Sequence, residues 1–262
     1  MSKINLKIVA GEWDVYFDMA LCMLEEIMKN NEKGKNTVMI VPVGPTQQYP
    51  ILARLVNQLR VSLKNVYFFN MDEYLVSESE EIDYNDSISF HYRMEHEFYS
   101  LVDEDLVMPK SQRFFPEIGK EQEYDELIEK LGGVDLCLGG LGINGHVAFN
   151  EPPEDDMSVE EFGNLPTRVL PISRETKTIN AYGYQRGDLR GMPQWCITIG
   201  MKQILASRKV YIALNRPWQH GIAKHVLADE PTAKIPASLL QNHENVVFCT
   251  SEEIADGLHT FL

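Results

Sequence analysis

The stretch LGGLGINGHVAFNEPP, residues 138–153, crowds Asn144, His146, Asn150 and Glu151 into a short glycine-rich run. His146 and Glu151 lie five residues apart, with a proline directly after the acid. On an extended or turning segment, that spacing lets the carboxylate hydrogen-bond one imidazole nitrogen and leaves the other facing a substrate. A general acid/base histidine needs that arrangement; a satisfied structural histidine is the plainer alternative. Asp72 and Glu73 follow the apolar run NVYFFN and are candidates for proton transfer, against a solvated loop start or a helix cap. The same stretch contains G-x-G-x-x-G at Gly140, Gly142 and Gly145. A dinucleotide fingerprint requires a helix to begin at the third glycine. Here HVAFNEPPEDD follows, and two prolines, an Asn and a charged run do not continue a helix. The nucleotide reading fails, and the glycines read as a strand-end turn.

These groups need a frame. The 262 residues carry 39 Asp and Glu against 24 Lys and Arg, a formal charge of -15, with no basic cluster for nucleic acid. The four cysteines, Cys22, Cys137, Cys196 and Cys249, lie far apart in apolar runs and read as buried free thiols. No signal-peptide pattern opens the chain and no run reaches membrane-span length, so a cytoplasmic protein is expected. INLKIVA, TVMIVPV, NVYFFN, VDLCLGGL, TRVLPI, QWCITIG, VYIALN and NVVFCT read as strands. Helical patterns cover about residues 13–30, 46–60 and 87–99, then EQEYDELIEKLG, WQHGIAKHVLA and SEEIADGLHTFL. The segment MDEYLVSESEEIDYND reads as an acidic, turn-rich loop. Apolar strands alternating with helices imply an α/β fold. It is a single domain with a mostly parallel sheet covered by helices on both faces, a Rossmann-like three-layer arrangement. Ligands bind such sheets outside the carboxyl ends of the strands, where PVGPTQQ, NMDEY and the glycine stretch would converge. His91 and His96 have the wrong spacing to share a helix face, so they read as surface or core residues rather than metal ligands.

With these residues in view, FNMDEYL (residues 69–75) and GGLGINGHVAFNEPP (residues 139–153) resemble the two hallmark motifs of the glucosamine-6-phosphate deaminase (isomerase) family. That family shares a superfamily with 6-phosphogluconolactonase, but AFNEP after the histidine points to the deaminase branch. Weaker similarity runs through DSISFHYRMEHEFYS, TRVLPISRET and ITIGMKQIL, so one domain of this kind is expected over residues 1–262. The resemblance implies conversion of a 2-amino-2-deoxy-hexose 6-phosphate, the glucosamine or galactosamine form, to a ketose 6-phosphate plus ammonia. It implies no metal or redox cofactor, a phosphorylated amino sugar as partner, no nucleic acid or membrane, and a homo-oligomer as an option. Asp72 would be the base that moves a proton between C2 and C1 through an enolamine. His146 would open the sugar ring, Glu151 would orient and charge-balance it, and Asn144 would support it. Substrate contacts are expected from Gly44, Thr46, Glu73, Gly142, Gly145, Arg168, Arg216 and His220.

The phosphate-anchoring half departs from the family pattern. The loop after the second strand usually resembles P-T-G-G-T-P, whereas this chain has PVGPTQQ. Gly44 and Thr46 remain, Val43 replaces a hydroxyl, and Pro45 removes a backbone donor. The family's phosphate-binding Arg falls near Tyr182 and its Lys near His220, leaving Arg186, Arg190, Arg216 or Lys224 to supply charge. Two alternatives stand beside the deaminase reading. Hydrolysis of a sugar-phosphate lactone would give Asp72 no duty. A sugar-phosphate-sensing module without turnover would have no use for an intact Asp72, His146 and Glu151 set.

Overall fold

A computed structural model describes residues 3–261. Its first half runs β1 (Ile4–Val9), α1 (Glu12–Glu32), β2 (Thr37–Val41), α2 (Gln48–Leu59), β3 (Val66–Asn70), β4 (Asp72–Ser77), β5 (Glu80–Glu81), α3 (Phe90–Glu97), β6 (Arg113–Phe114) and α4 (Glu121–Lys130). The second half runs β7 (Leu136–Gly140), α5 (Val159–Gly163), β8 (Arg168–Pro171), α6 (Arg174–Tyr184), β9 (Trp195–Thr198), α7 (Met201–Leu205), β10 (Val210–Leu214), α8 (Gln219–Ala228), β11 (Val246–Ser251) and α9 (Glu252–Ala255). Seven strands form one parallel sheet in the order β1-β11-β10-β7-β2-β3-β6.

The central strands β2, β7 and β10 are almost wholly apolar because both their faces are covered, whereas the edge strand β1 carries Asn5 and Lys7 and is largely exposed. Successive side chains of a strand point to opposite sides, and β2 divides accordingly. Met39 and Val41 pack with Met19, Leu52 and Val56 of α1 and α2, while Val38 and Ile40 join Tyr124, Ile128 and Val226 of α4 and α8. The helices close where their sequences dictate: Gly34 adopts φ 62 after α1, and Ser173 caps α6 by accepting from Thr176 N. All four cysteines are buried and free. Among the described residues no helix is long and apolar enough to cross a membrane.

Three expectations need correction. The acidic segment after β3 is only partly a loop: Asp72–Ser77 form β4, which pairs antiparallel with β9, Asp72 opposite Thr198 and Glu73 opposite Ile197. TRVLPI and QWCITIG therefore do not extend the parallel sheet; as β8 and β9 they join β4 and β5 in a separate four-stranded antiparallel sheet. The C-terminal segment is not one helix either, because Gly257 at φ 74 separates α9 from a 3₁₀ turn, Leu258–Phe261.

In the parallel sheet the chain progresses outward in two directions, β2 to β3 to β6 one way and β7 to β10 to β11 the other. The reversal falls between β2 and β7, and a crevice opens at the carboxyl ends of strands at such a switch point.

Candidate active site

At that switch point lies a cleft of about 1020 Å³. Its lining draws on the loops after β2, β7 and β10, on the start of β4, and on α6. The glycine stretch is there for contact. A Cβ on Gly140 would stand 3.2 Å from both the Gly44 oxygen and Pro45 Cδ, so this glycine lets the β7 and β2 loops touch. A Cβ on Gly142 would fall 2.3 Å from Nε2 of His146 and 2.2 Å from its Cε1, so the imidazole lies flat on bare backbone. Gly145 has φ 87 and packs under Ile235, where a Cβ would come within 2.7 Å of Cγ2. Of the three glycines, Gly142 seats the histidine, while Gly140 and Gly145 let neighbouring segments pack against its turn.

The hydrogen bonds around that ring fix its tautomer. Asn144 Nδ2 donates to Glu151 Oε2 at 2.6 Å, and a carboxylate can only accept. The amide orientation follows, with Oδ1 turned to His146 Nδ1 at 2.8 Å. Nδ1 must therefore carry hydrogen, and in the neutral ring Nε2 keeps its lone pair. Thr176 Oγ1 lies 3.2 Å from Nδ1, and the Ser173 cap of α6 closes the back of the group, its N–H 3.4 Å from Glu151 Oε1. Glu151 Oε2 stands 3.5 Å from the same Nδ1, so the shorter contact from the ring goes to Asn144 and only a long one to the acid. Burial alone would raise the Glu151 carboxyl. Hydrogen bonding and charge attraction from His146, with hydrogen bonds from Asn144 and Thr176, overcome that and hold it down to about 2. Ala148, between His146 and Glu151, takes φ 57, a strained conformation for a residue with a side chain. Asn150 clamps the turn by donating to the Val147 and Ile199 carbonyls.

Asp72 lines the same cleft and is buried. Among the described residues nothing hydrogen-bonds its carboxylate. Burial pushes its carboxyl well above the ordinary carboxylate range, and the neighbouring Glu73 charge adds to the rise. Glu73 itself does not reach the cleft, because consecutive strand residues face opposite ways. Its carboxylate turns to the start of α3 and accepts from Ser89 Oγ, Phe90 N and His91 N. Arg168 does not reach it either; its guanidinium donates to Asn150 Oδ1 at 2.8 Å and holds the histidine turn from behind. His220 faces α9, with Nδ1 2.9 Å from the Ile254 oxygen. Gly145, as described, is packing. Gly44, Thr46, Gly142 and Arg216 do line the cleft.

One cleft residue escaped sequence reading. Arg93 on α3 donates to Val43 O at 3.2 Å and Thr46 Oγ1 at 3.1 Å, while its Nε donates to Glu97. It braces the β2–α2 loop from below and lines the cleft. Its i,i+4 spacing to Glu97 reads in sequence as an ordinary helix-surface pair, so nothing there signals the role. The N–H groups of Gly44 and Thr46 donate to no described residue. Arg216, beyond β10, is ion-paired with Glu12 at 2.9 Å. Arg186, Arg190 and Lys224 are not part of the lining. Among the described residues, no three His, Cys, Asp or Glu side chains gather where they could hold a metal ion.

No family model matches the chain. A glucosamine-6-phosphate deaminase of Fusobacterium nucleatum subsp. nucleatum is 30% identical over 229 residues, 86% of this chain and 78% of that one. One from Thermoanaerobacter sp. (strain X514) is 28% identical over 246 residues, 92% of this chain and 91% of its own. Among solved structures, a monomeric glucosamine-6-phosphate deaminase superposes with a TM-score of 0.82 at 23% identity, covering 97% of this chain and 99% of the other. The 6-phosphogluconolactonase of Trypanosoma brucei shares the fold with a TM-score of 0.68 at 19% identity, over 98% of this chain and 100% of that one.

Proposed function

The chain belongs to the glucosamine-6-phosphate deaminase family, and from that premise we propose that it converts a 2-amino-2-deoxy-hexose 6-phosphate and water to a ketose 6-phosphate and ammonia. The observation that carries this reading is the pairing in one cleft of a dry carboxylate, Asp72, with a histidine whose Nε2 keeps its lone pair. His146 Nε2 takes the proton of the anomeric hydroxyl and returns it to the ring oxygen, opening the sugar. Glu151 balances the charge that the ring carries in between, through Asn144. Asp72 then removes the C2 proton while one proton of the substrate's ammonium passes to O1, leaving a neutral enolamine, and the Asp72 carboxyl returns its proton to C1. The resulting C2 iminium adds water and expels ammonia. A desolvated carboxylate is a stronger base than one in water, which suits abstraction from carbon.

The phosphate end rests on the open N–H groups of Gly44 and Thr46 in the loop that leads into α2, with the Arg93 charge behind them and Arg216 across the cleft. Unpaired backbone donors in a turn beside a helix N-terminus suit an anion. Hydrolysis of a lactone would leave Asp72 with no proton to move, so the chemistry of the site favours deamination. The test is ammonia release from glucosamine and galactosamine, each with and without the 6-phosphate. Ammonia is expected from a phosphorylated sugar, and Asp72→Asn is expected to lose turnover by about a thousandfold or more while substrate still binds. No ammonia from any of the four overturns the reading.

A further inference from the structure

Behind Asp72, on the opposite face of β4, stands a second arrangement that the deamination chemistry does not use. Glu73 is almost fully enclosed, and its neutral donors are the N–H groups of Tyr74, Phe90 and His91 and the Ser89 hydroxyl. Among the described residues, the one partner that can carry a positive charge is the His91 ring, whose Nδ1 lies 2.8 Å from Oε2. The ring is held flat between two aromatic side chains, 3.7 Å from Tyr84 at 15° and 3.6 Å from Phe115 at 20°. Because the carboxylate only accepts, Nδ1 carries hydrogen in either state of the ring. The exchangeable proton therefore sits on Nε2, which bonds to no described residue. With that proton the Glu73–His91 pair has no net charge; without it the pair is an anion directly behind the base.

Few other charges intervene. Cys196 on β9, Tyr49 on α2 and Tyr124 on α4 sense Asp72, and burial pushes each of them up, keeping them neutral. Among the described residues, Glu73 is the charge that acts on Asp72. On the far side of the pair, Tyr84 is likewise pushed up by burial, and its hydroxyl donates to Glu81 of β5, with Glu117 nearby.

We propose that His91 is a positioning residue for the base: clamped by Tyr84 and Phe115 and bonded to Glu73, its ring when protonated offsets the Glu73 charge that acts on Asp72. It thereby sets the pH at which Asp72 ionises. The catalytic meaning of this device rests on Asp72 being the base, but the electrostatic coupling does not depend on turnover.

The test uses the full chain and two substitutions. His91→Gln keeps a hydrogen-bond donor and fixes the pair as an anion. His91→Arg keeps a cation that stacks well between aromatic rings and reaches a carboxylate. The readout is the Asp72 carboxyl C=O stretch, identified as the infrared band that Asp72→Asn removes and followed against pH. In His91→Gln its midpoint is expected to move up by about half a pH unit or more, and in His91→Arg to stay at or below the parent value. The acidic limb of kcat/KM for ammonia release follows the same order. An unmoved infrared midpoint in His91→Gln, or an equal upward movement in both variants, overturns the proposal. If the midpoint moves as expected but no sugar yields ammonia, the coupling stands and the deaminase reading falls.

Discussion

Asp72 and Glu151 are both buried carboxylates in one site, and their surroundings drive them in opposite directions, with opposite consequences for stability. The folded Asp72 carboxyl is raised far above its ordinary value of 3.8 by burial and then by Glu73. Such a group contributes its full stability below about pH 4 and loses it as the pH rises through the folded value. Asp72→Asn should therefore be more stable than the parent at pH 7, with the gap closing below about pH 4. Glu151 is held down to about 2, from 4.5, once His146, Asn144 and Thr176 outweigh burial. Its contribution, ~3 kcal/mol, is present above about pH 4.5 and lost as the pH falls toward its folded value. Glu151→Gln should be less stable at pH 7, with the deficit shrinking toward pH 2.5. Urea midpoints across pH 2.5–8 would read both. Two variants shifting in the same direction at pH 7 would contradict this account. The spacing of His146 and Glu151 pointed to a coupled pair, but the amide of Asn144 stands between them, and no spacing rule reveals which of two nearby acceptors takes a ring hydrogen bond.

At the scale of elements, alternating apolar runs made the seven-stranded frame readable except for its two-residue edge strand β6, because strands buried on both faces are apolar without interruption. β4 was hidden by composition. Asp72, Glu73 and the acids that follow read as a solvated loop, and only pairing with β9, more than a hundred residues away, makes them a strand. Non-local pairing of this kind overrides local propensity. The same blindness concealed Arg93, whose value comes from α3 packing under the β2–α2 loop. That loop has lost a backbone donor at Pro45, and its shape depends on the Arg93 bonds to Val43 O and Thr46 Oγ1. Arg93→Met should raise KM for a phosphorylated amino sugar by about tenfold or more, with a smaller effect on kcat, because the lost interactions serve binding in ground and transition states alike. Arg93→Lys should recover only part, since one ammonium cannot reproduce the fork. Steady-state kinetics on both variants would check this, and a fall in kcat at unchanged KM would place Arg93 with the proton-transfer groups instead.

Across the whole molecule the question is how a chain of formal charge -15 receives an anionic substrate. Composition announces the conflict but not its resolution, because the resolution depends on which cations the fold turns inward. Two arginines, Arg93 and Arg216, line the cleft, and each is already partnered by an acid, Glu97 and Glu12. The local field is thus largely compensated, and the long-range field of the acidic surface remains. An amino-sugar phosphate carries roughly -1 overall, a phosphate near -2 offset by its ammonium. At 10 mM ionic strength the screening length is about 30 Å, so the substrate meets the charge of the entire protein; at 150 mM it is about 8 Å and only cleft groups count. Raising salt across that range should increase kcat/KM for the phosphorylated sugar by about two- to threefold. An uncharged hexitol competing for the same cleft should bind independently of salt, while its 6-phosphate binds more tightly as salt rises. A decrease with salt for the phosphorylated ligand would instead show that Arg93 and Arg216 dominate the field at the cleft mouth, with the carboxylates beside them drawn away when the anion arrives.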